Sequence, residues 1–243
     1  MLIHPTLDKL QVLRLAGMAK AYEEQSQMQD IAELSFDERL GLLVDREITE
    51  RQNRCLISRL KKAKLRQNAC IEDVDFRYPR GLDKSILSQL SSCQWIKDHR
   101  NVILTGSTGI GKSYIACALA QNACREGYKS LYMRLPRLFQ ELGIAKGDGR
   151  YNRMLTNLAK TDILVLDDFG LSKLTEEQCR DMLEIMEDRH GLKSTIVTSQ
   201  LPVKNWHDVM GDPTIADAIL DRLVHNAYKI ILKGESMRKE KKP

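Results

Sequence analysis

Eight consecutive residues, Gly106-Ser107-Thr108-Gly109-Ile110-Gly111-Lys112-Ser113, follow the apolar run Asn101–Thr105 and match the pattern G-x-x-x-x-G-K-[ST] in full. Each residue type has a chemical use at its place. Three glycines let a loop turn tightly and aim successive backbone N–H groups at phosphate oxygens. A helix beginning at Lys112 adds the positive end of its dipole. Lys112 can set a point charge on the β- and γ-phosphates of a nucleotide, and the Ser113 hydroxyl can ligate Mg²⁺. The expected nucleotide-binding set is Gly106 through Ser113, with Tyr114 beside it.

A second group has the chemistry to complete this one. Asp162-Ile163-Leu164-Val165-Leu166-Asp167-Asp168 is an apolar run closed by two carboxylates. At a strand tip beside the loop, one acid can hold the metal and the other can polarise an attacking water. Asp167 suits the metal role, through its water shell, and Asp168 the general-base role. Alone, such a pair would read as a solvated turn. Asp168 is one methylene shorter than the Glu more often used there, which points to slow turnover. Thr198-Ser199-Gln200 closes a later apolar run, where a polar side chain can report the γ-phosphate. Ser199 is the first choice, with Thr198 and Gln200 as alternatives to it and ordinary strand-end capping as the plain explanation. Arg222, in Ile219-Leu220-Asp221-Arg222-Leu223, is either a surface arginine paired to Asp221 or a finger reaching a neighbouring subunit's nucleotide. Arg238 is a weaker second candidate.

The elements that must position these groups alternate in type. Strands are predicted at Asn101–Thr105, Ser130–Met133, Ile163–Leu166, Thr195–Thr198 and Lys229–Leu232. Helices are predicted near 112–126, 136–145, 150–160, 175–190, 202–210 and 214–225. Such alternation implies βαβ units and a mostly parallel sheet covered on both faces, an α/β fold. Residues 1–75 read as a small all-α N-terminal domain and 76–243 as the nucleotide-binding domain, with Tyr78-Pro79-Arg80-Gly81 as the linker. Leu7, Leu10, Leu13, Leu15, Met18 and Ala19 recur at near-helical spacing and predict one short helix. Ser35 and Glu38 form a capping box that opens a second, running to about Leu65. From Arg46 to Arg66 this helix carries eight Lys/Arg against two acids, so much of the chain's net charge of +5 is gathered there.

Composition narrows the class further. With 42% hydrophobic and 29% charged residues in 243, the chain can build a core and is neither disordered nor low-complexity. Six cysteines without a C-x-x-C pair predict reduced, mostly buried thiols rather than a zinc site or disulfide framework. No apolar run approaches the roughly 18 residues of a membrane span, and the N-terminus lacks a cleavage signal, so a cytoplasmic protein with no membrane partner is expected.

GSTGIGKS, ILVLDDFG, TIVTSQLPVKNWHDVM, DAILDRLVHNAYKIILKGESMR and the basic helical N-terminus together resemble the IstB family, AAA+ ATPase helpers of insertion-sequence transposases. The first two motifs are shared by P-loop ATPases generally, whereas SQLPVKNWHDV and the ILDRL…KGESMR pair are specific to the group. The resemblance implies an AAA+ core that uses ATP and Mg²⁺, forms a homo-oligomer on double-stranded DNA and stimulates a cognate transposase. It also implies that Arg222 is the arginine finger and that Ser199 lies in the sensor region. The group is similar to DnaC-like helicase loaders, the competing function, which would prefer single strands or a helicase ring. A small-molecule phosphotransferase would leave the basic helix unexplained. No aromatic residue interleaves residues 46–66, so stacking on unpaired bases is poorly provided for and duplex phosphate contacts through Arg51, Arg54, Arg59, Lys61, Lys62 and Lys64 are expected.

Overall fold

Strands buried on both faces need apolar side chains at every position, and the apolar runs supply them. In the computed structural model, which describes residues 5–237, five such runs form one parallel sheet ordered β2-β3-β4-β1-β5. In chain order the elements are helices α1 (Pro5–Val12), α2 (Ala16–Gln27), α3 (Phe36–Ala63), α4 (Lys84–Ser91) and α5 (Gln94–Lys97), then strand β1 (Asn101–Gly106) and helix α6 (Lys112–Arg125). They continue with β2 (Ser130–Arg134), α7 (Leu135–Gly147), α8 (Tyr151–Lys160), β3 (Ile163–Phe169), α9 (Glu176–Arg189), β4 (Ser194–Ser199), α10 (Pro213–Val224) and β5 (Ala227–Leu232). The period of two divides each strand between two cores. Val102 and Leu104 face one with Ile163, Val165, Ile196 and helix α6. Ile103 faces the other with Leu164, Leu166, Val197 and helices α9 and α10.

The chain forms two compact units, Met1–Ser58 and Arg59–Pro243. The expected boundary at 75/76 and this division differ for a physical reason: Ala69 and Val74 are buried in the core beside α6, so the segment before the predicted linker belongs to the sheet's own packing. In the first unit, the predicted single helix over Leu7–Ala19 is two helices, broken where Arg14 takes φ 58°. Helix α3 opens on the expected capping box, with Ser35 N–H donating to Glu38 Oε2 at 2.8 Å and Glu38 N–H to Ser35 Oγ at 3.3 Å.

In the second unit the predicted helix over 202–210 is two short 3₁₀ turns, Val203–Asn205 and His207–Val209. Pro202 starts this stretch, and Trp206, fully buried, anchors it by donating Nε1–H to Leu201 O at 3.0 Å. The apolar periodicity there marks an anchor rather than a helix. All six cysteines are free thiols, and four of them are buried. Among the described residues no helix is long and apolar enough to cross a membrane.

One buried arginine ties the lower ends of three elements together. Arg189 is 2% exposed; its Nε donates to Thr195 Oγ1 at 3.1 Å and its Nη1 to Thr161 O at 2.8 Å and Leu158 O at 2.5 Å, while Nη2 donates to Ser194 O. Leu158 O also accepts from Thr161 N–H at 3.3 Å, so removing the guanidinium takes a hydrogen bond from Thr161 O, Ser194 O and Thr195 Oγ1, each loss costing about 1–3 kcal/mol. Arg189→Met is therefore expected to lower unfolding free energy by at least about 3 kcal/mol, read from a lower urea midpoint with unchanged slope.

Candidate nucleotide-binding site

The loop between β1 and α6 folds as its glycines predict. Gly106, Gly109 and Gly111 take φ 148°, 83° and 99°, which only glycine adopts without strain. A Cβ on Gly106 would also strike the Leu232 carbonyl, and one on Gly111 would lie 2.5 Å from Arg80 Nη1. Lys112, 7% exposed, donates Nζ–H to Gly106 O at 2.8 Å and Ser107 O at 2.9 Å, which holds its cation inside the loop.

β4 lies between β1 and β3, so its tip stands between the loop and the acids. Asp167 is fully buried. Ser113 Oγ donates to its Oδ1 at 2.8 Å and lies 3.0 Å from Oδ2. Thr198 Oγ1–H and Tyr132 O–H donate short hydrogen bonds to the same carboxylate, and Arg66 Nη1 stands 3.5 Å from Oδ2. Burial, and then this bond to Asp167, raises the Tyr132 phenol well above its ordinary range. A hydroxyl and a carboxylate within hydrogen-bond reach form the hard oxygen donor set that suits Mg²⁺.

Successive strand residues point to opposite faces, yet Asp167 and Asp168 both meet the site. The β3–β4 register shifts between Leu166 and Phe169, and Asp168 takes φ 65°. This bulge re-aims the second carboxylate, which pairs with Arg134 Nε at 2.8 Å at the end of β2. Asp168 N–H donates to Thr198 Oγ1 at 3.2 Å. The resulting cavity, about 570 Å³, is lined by Thr108, Gly109, Lys112, Ser113, Tyr114 and Asp168 among others, so predicted loop and acid residues converge.

Two other expected residues lie elsewhere. Ser199 is fully buried; its Oγ donates to Phe169 O at 2.8 Å and accepts from Leu201 N–H at 3.1 Å. Of the sensor candidates Gln200 lines the cavity and Thr198 touches the acid, so the first choice turns away from the site. Arg222 sits at the other end of β1. Asn101 Nδ2 donates to the Arg222 carbonyl at 3.0 Å, while the guanidinium donates to Ala218 O at 2.8 Å and pairs with Glu187, not with Asp221. Arg238 lies outside the described residues.

Sequence reading missed four contributors: Arg66, Tyr132, Arg134 and Arg80. Arg80, placed in the predicted linker, is 2% exposed and lies against the loop, with Nη1 donating to Ile110 O at 3.2 Å and Nη2 to Asp75 O at 2.8 Å. Burial lowers its pKa from the ordinary arginine value. The segment after β5 crosses the same loop: Ser107 Oγ–H donates to Gly234 O at 2.9 Å, and Met237 N–H to Gly109 O at 3.1 Å. The one available signal was the presence of an arginine inside an apolar-flanked Pro-Arg-Gly turn.

A five-stranded parallel sheet, a glycine loop leading into a helix, and an acid on the strand beyond its neighbour define a P-loop nucleotide-binding fold. The chain belongs to the IstB-like ATP binding protein family, whose pattern it matches over residues 8–243. It is 52% identical over 242 residues to the insertion sequence ATP-binding protein y4pL of Sinorhizobium fredii, covering 100% of this chain and 99% of that one. The DnaC helicase loader shares the fold at TM-score 0.58 and 20% identity, over 70% of this chain and 100% of that one. AMPPCP-bound DnaA from Aquifex aeolicus does so at TM-score 0.58 and 18% identity, over 73% of this chain and 56% of that one.

Lys112→Ala removes the cation nearest the loop's phosphate-facing amides. Charge-assisted hydrogen bonds of this kind are worth about 1.5–3 kcal/mol, so ATP affinity should fall at least about tenfold. Titration with a fluorescent ATP analogue checks it, and unchanged affinity would reject the loop as the phosphate site.

Proposed function

We propose that the chain is an ATP-dependent, DNA-binding helper of an insertion-sequence transposase, which assembles on duplex target DNA, hydrolyses ATP to ADP and phosphate, and recruits its cognate transposase. The observation that carries the nucleotide part is the Ser113–Asp167 hydrogen bond at 2.8 Å, which puts the loop and the buried acid at one point. The insertion-sequence relatives supply the biological context.

In this mechanism the loop amides from Ser107 to Ser113 bind the phosphates, and Lys112 turns from its two carbonyl partners to the β- and γ-oxygens. Ser113 and Asp167 would hold Mg²⁺, which would supply positive charge beside the transferred phosphoryl group. Thr198 fixes the orientation of Asp167. Asp168, aimed by Arg134, takes the proton of the attacking water. Arg222 supplies a guanidinium to the nucleotide of a neighbouring subunit in a homo-oligomer.

The basic run divides by what each side chain already does. Arg51 pairs with Glu47 at 2.6 Å, and Arg59 Nε donates to Cys124 O at 2.8 Å. Arg54, Lys61, Lys62 and Lys64 are exposed. We assign the duplex phosphate contacts chiefly to Lys61, Lys62 and Lys64, with Arg54 as a further contact on the other unit. A helicase loader is the alternative, favoured by the shared DnaC fold.

Two measurements separate these ideas. Asp168→Asn should keep ATP affinity and cut turnover by about 10²–10⁴-fold, since only water activation is lost; weaker binding with normal turnover would reject the base role. For the lysines, log K against log salt should have a slope of about −0.9 per phosphate contact. Lys61→Ala/Lys62→Ala, measured with a non-hydrolysable ATP analogue, should lessen the slope per subunit by about two on any duplex sequence. Equal slopes would move the contact elsewhere, and tighter binding to single strands would favour the loader.

A further inference from the structure

The stretch after Ser58 is fastened along the phosphate-loop helix at several points. Arg59 Nε donates to Cys124 O near the C-terminal end of α6. Leu65 packs against the core and Ala69 is buried in it. The stretch then delivers the Arg66 guanidinium to Asp167 Oδ2 at 3.5 Å, beside the Ser113 end of the same helix. Three exposed lysines, Lys61, Lys62 and Lys64, lie between the Arg59 and Arg66 anchors.

Arg66 is charged, and its side chain is 42% exposed, so it has room to move; Asp167 at 0% has none. Tyr132 O–H donates to the same carboxylate. A cation already faces the carboxylate that would hold the metal. Two cations on one buried carboxylate repel each other, and the mobile one yields.

We infer that Arg66 is a positioning residue that competes with Mg²⁺ for Asp167, so that metal–nucleotide binding and polyanion binding on Lys61, Lys62 and Lys64 are coupled through one short stretch of chain. The inference rests on the proposed metal role of Asp167 and duplex role of the lysines. Mg²⁺–nucleotide displaces Arg66 and frees the stretch. A duplex that draws the stretch outward removes Arg66 from Asp167. By linkage each ligand tightens the other by the same factor.

The test uses the full chain and the affinity of a fluorescent, non-hydrolysable ATP analogue across a Mg²⁺ series, with and without a plain duplex. Without duplex, Arg66→Gln is expected to reach half-saturation at about fivefold lower Mg²⁺ than wild type, a modest factor because solvent screens a partly exposed cation. Arg66→Lys, which keeps the charge, should stay with wild type. Duplex should lower the Mg²⁺ requirement of wild type and leave that of Arg66→Gln unchanged. Lys61→Ala/Lys62→Ala should match wild type without duplex and lose the duplex response. If Arg66→Gln follows wild type in both series, or Arg66→Lys follows Arg66→Gln, the inference is overturned. If wild type fails to bind duplex, the DNA reading falls while the duplex-free series still decides whether Arg66 competes with the metal.

Discussion

A carboxylate with no solvent exposure is the constraint on which the site depends. An isolated ionised acid at that depth would cost several kcal/mol of desolvation, and Asp167 is compensated from four directions. Ser113 comes from α6, Thr198 from β4, Tyr132 from β2, and Arg66 from the stretch before the sheet. Each donor belongs to a different element, so the carboxylate fixes their mutual positions as much as they fix it. The loop is held to the sheet through Ser113, and the β3 bulge that re-aims Asp168 begins at the next residue.

The convergence follows from strand order. With β4 inserted between β1 and β3, the loop strand and the acid strand are two strands apart; Ser113 on α6 reaches the acid across that gap, and Thr198 on β4 joins it there. Its neighbour Ser199 points to the opposite face by the period of two and satisfies Phe169 O and Leu201 N–H, where the chain leaves the sheet.

How much of this was legible in the sequence depended on the range of the interaction. The loop, the apolar strand runs, the Ser35–Glu38 box and the acid pair are local patterns, and the structure contains each of them. Family membership followed from the same motifs. The parity of Thr198 against Ser199 is set by which face of β4 meets α6, and no local pattern encodes that. Arg66 and Asp167 are 101 residues apart, so only the folded topology unites them. The Pro-Arg-Gly turn misled because a buried arginine looks like a solvated one until its acceptors are known. At 202–210, apolar spacing fitted a helix, but the fully buried Trp206 ring fixes two 3₁₀ turns instead.

The two ends of β1 carry different chemistry, and this bears on assembly. Gly106, at one end, opens the phosphate loop, while Asn101, at the other, holds the Arg222 backbone. Five steps of about 3.3 Å separate them by about 17 Å, beyond the reach of an arginine side chain. Within one subunit Arg222 instead pairs with Glu187 and lines a separate cavity of about 410 Å³ with His99, His190 and His225. If Arg222 acts on a nucleotide, that nucleotide belongs to another copy. Loop and finger lie at opposite ends of β1, so a nucleotide site completed by Arg222 needs the loop end of one copy to meet the finger end of another. Head-to-tail repetition in a ring or filament meets that condition, and so does a two-fold pair with antiparallel strands, in which each loop faces the other copy's arginine.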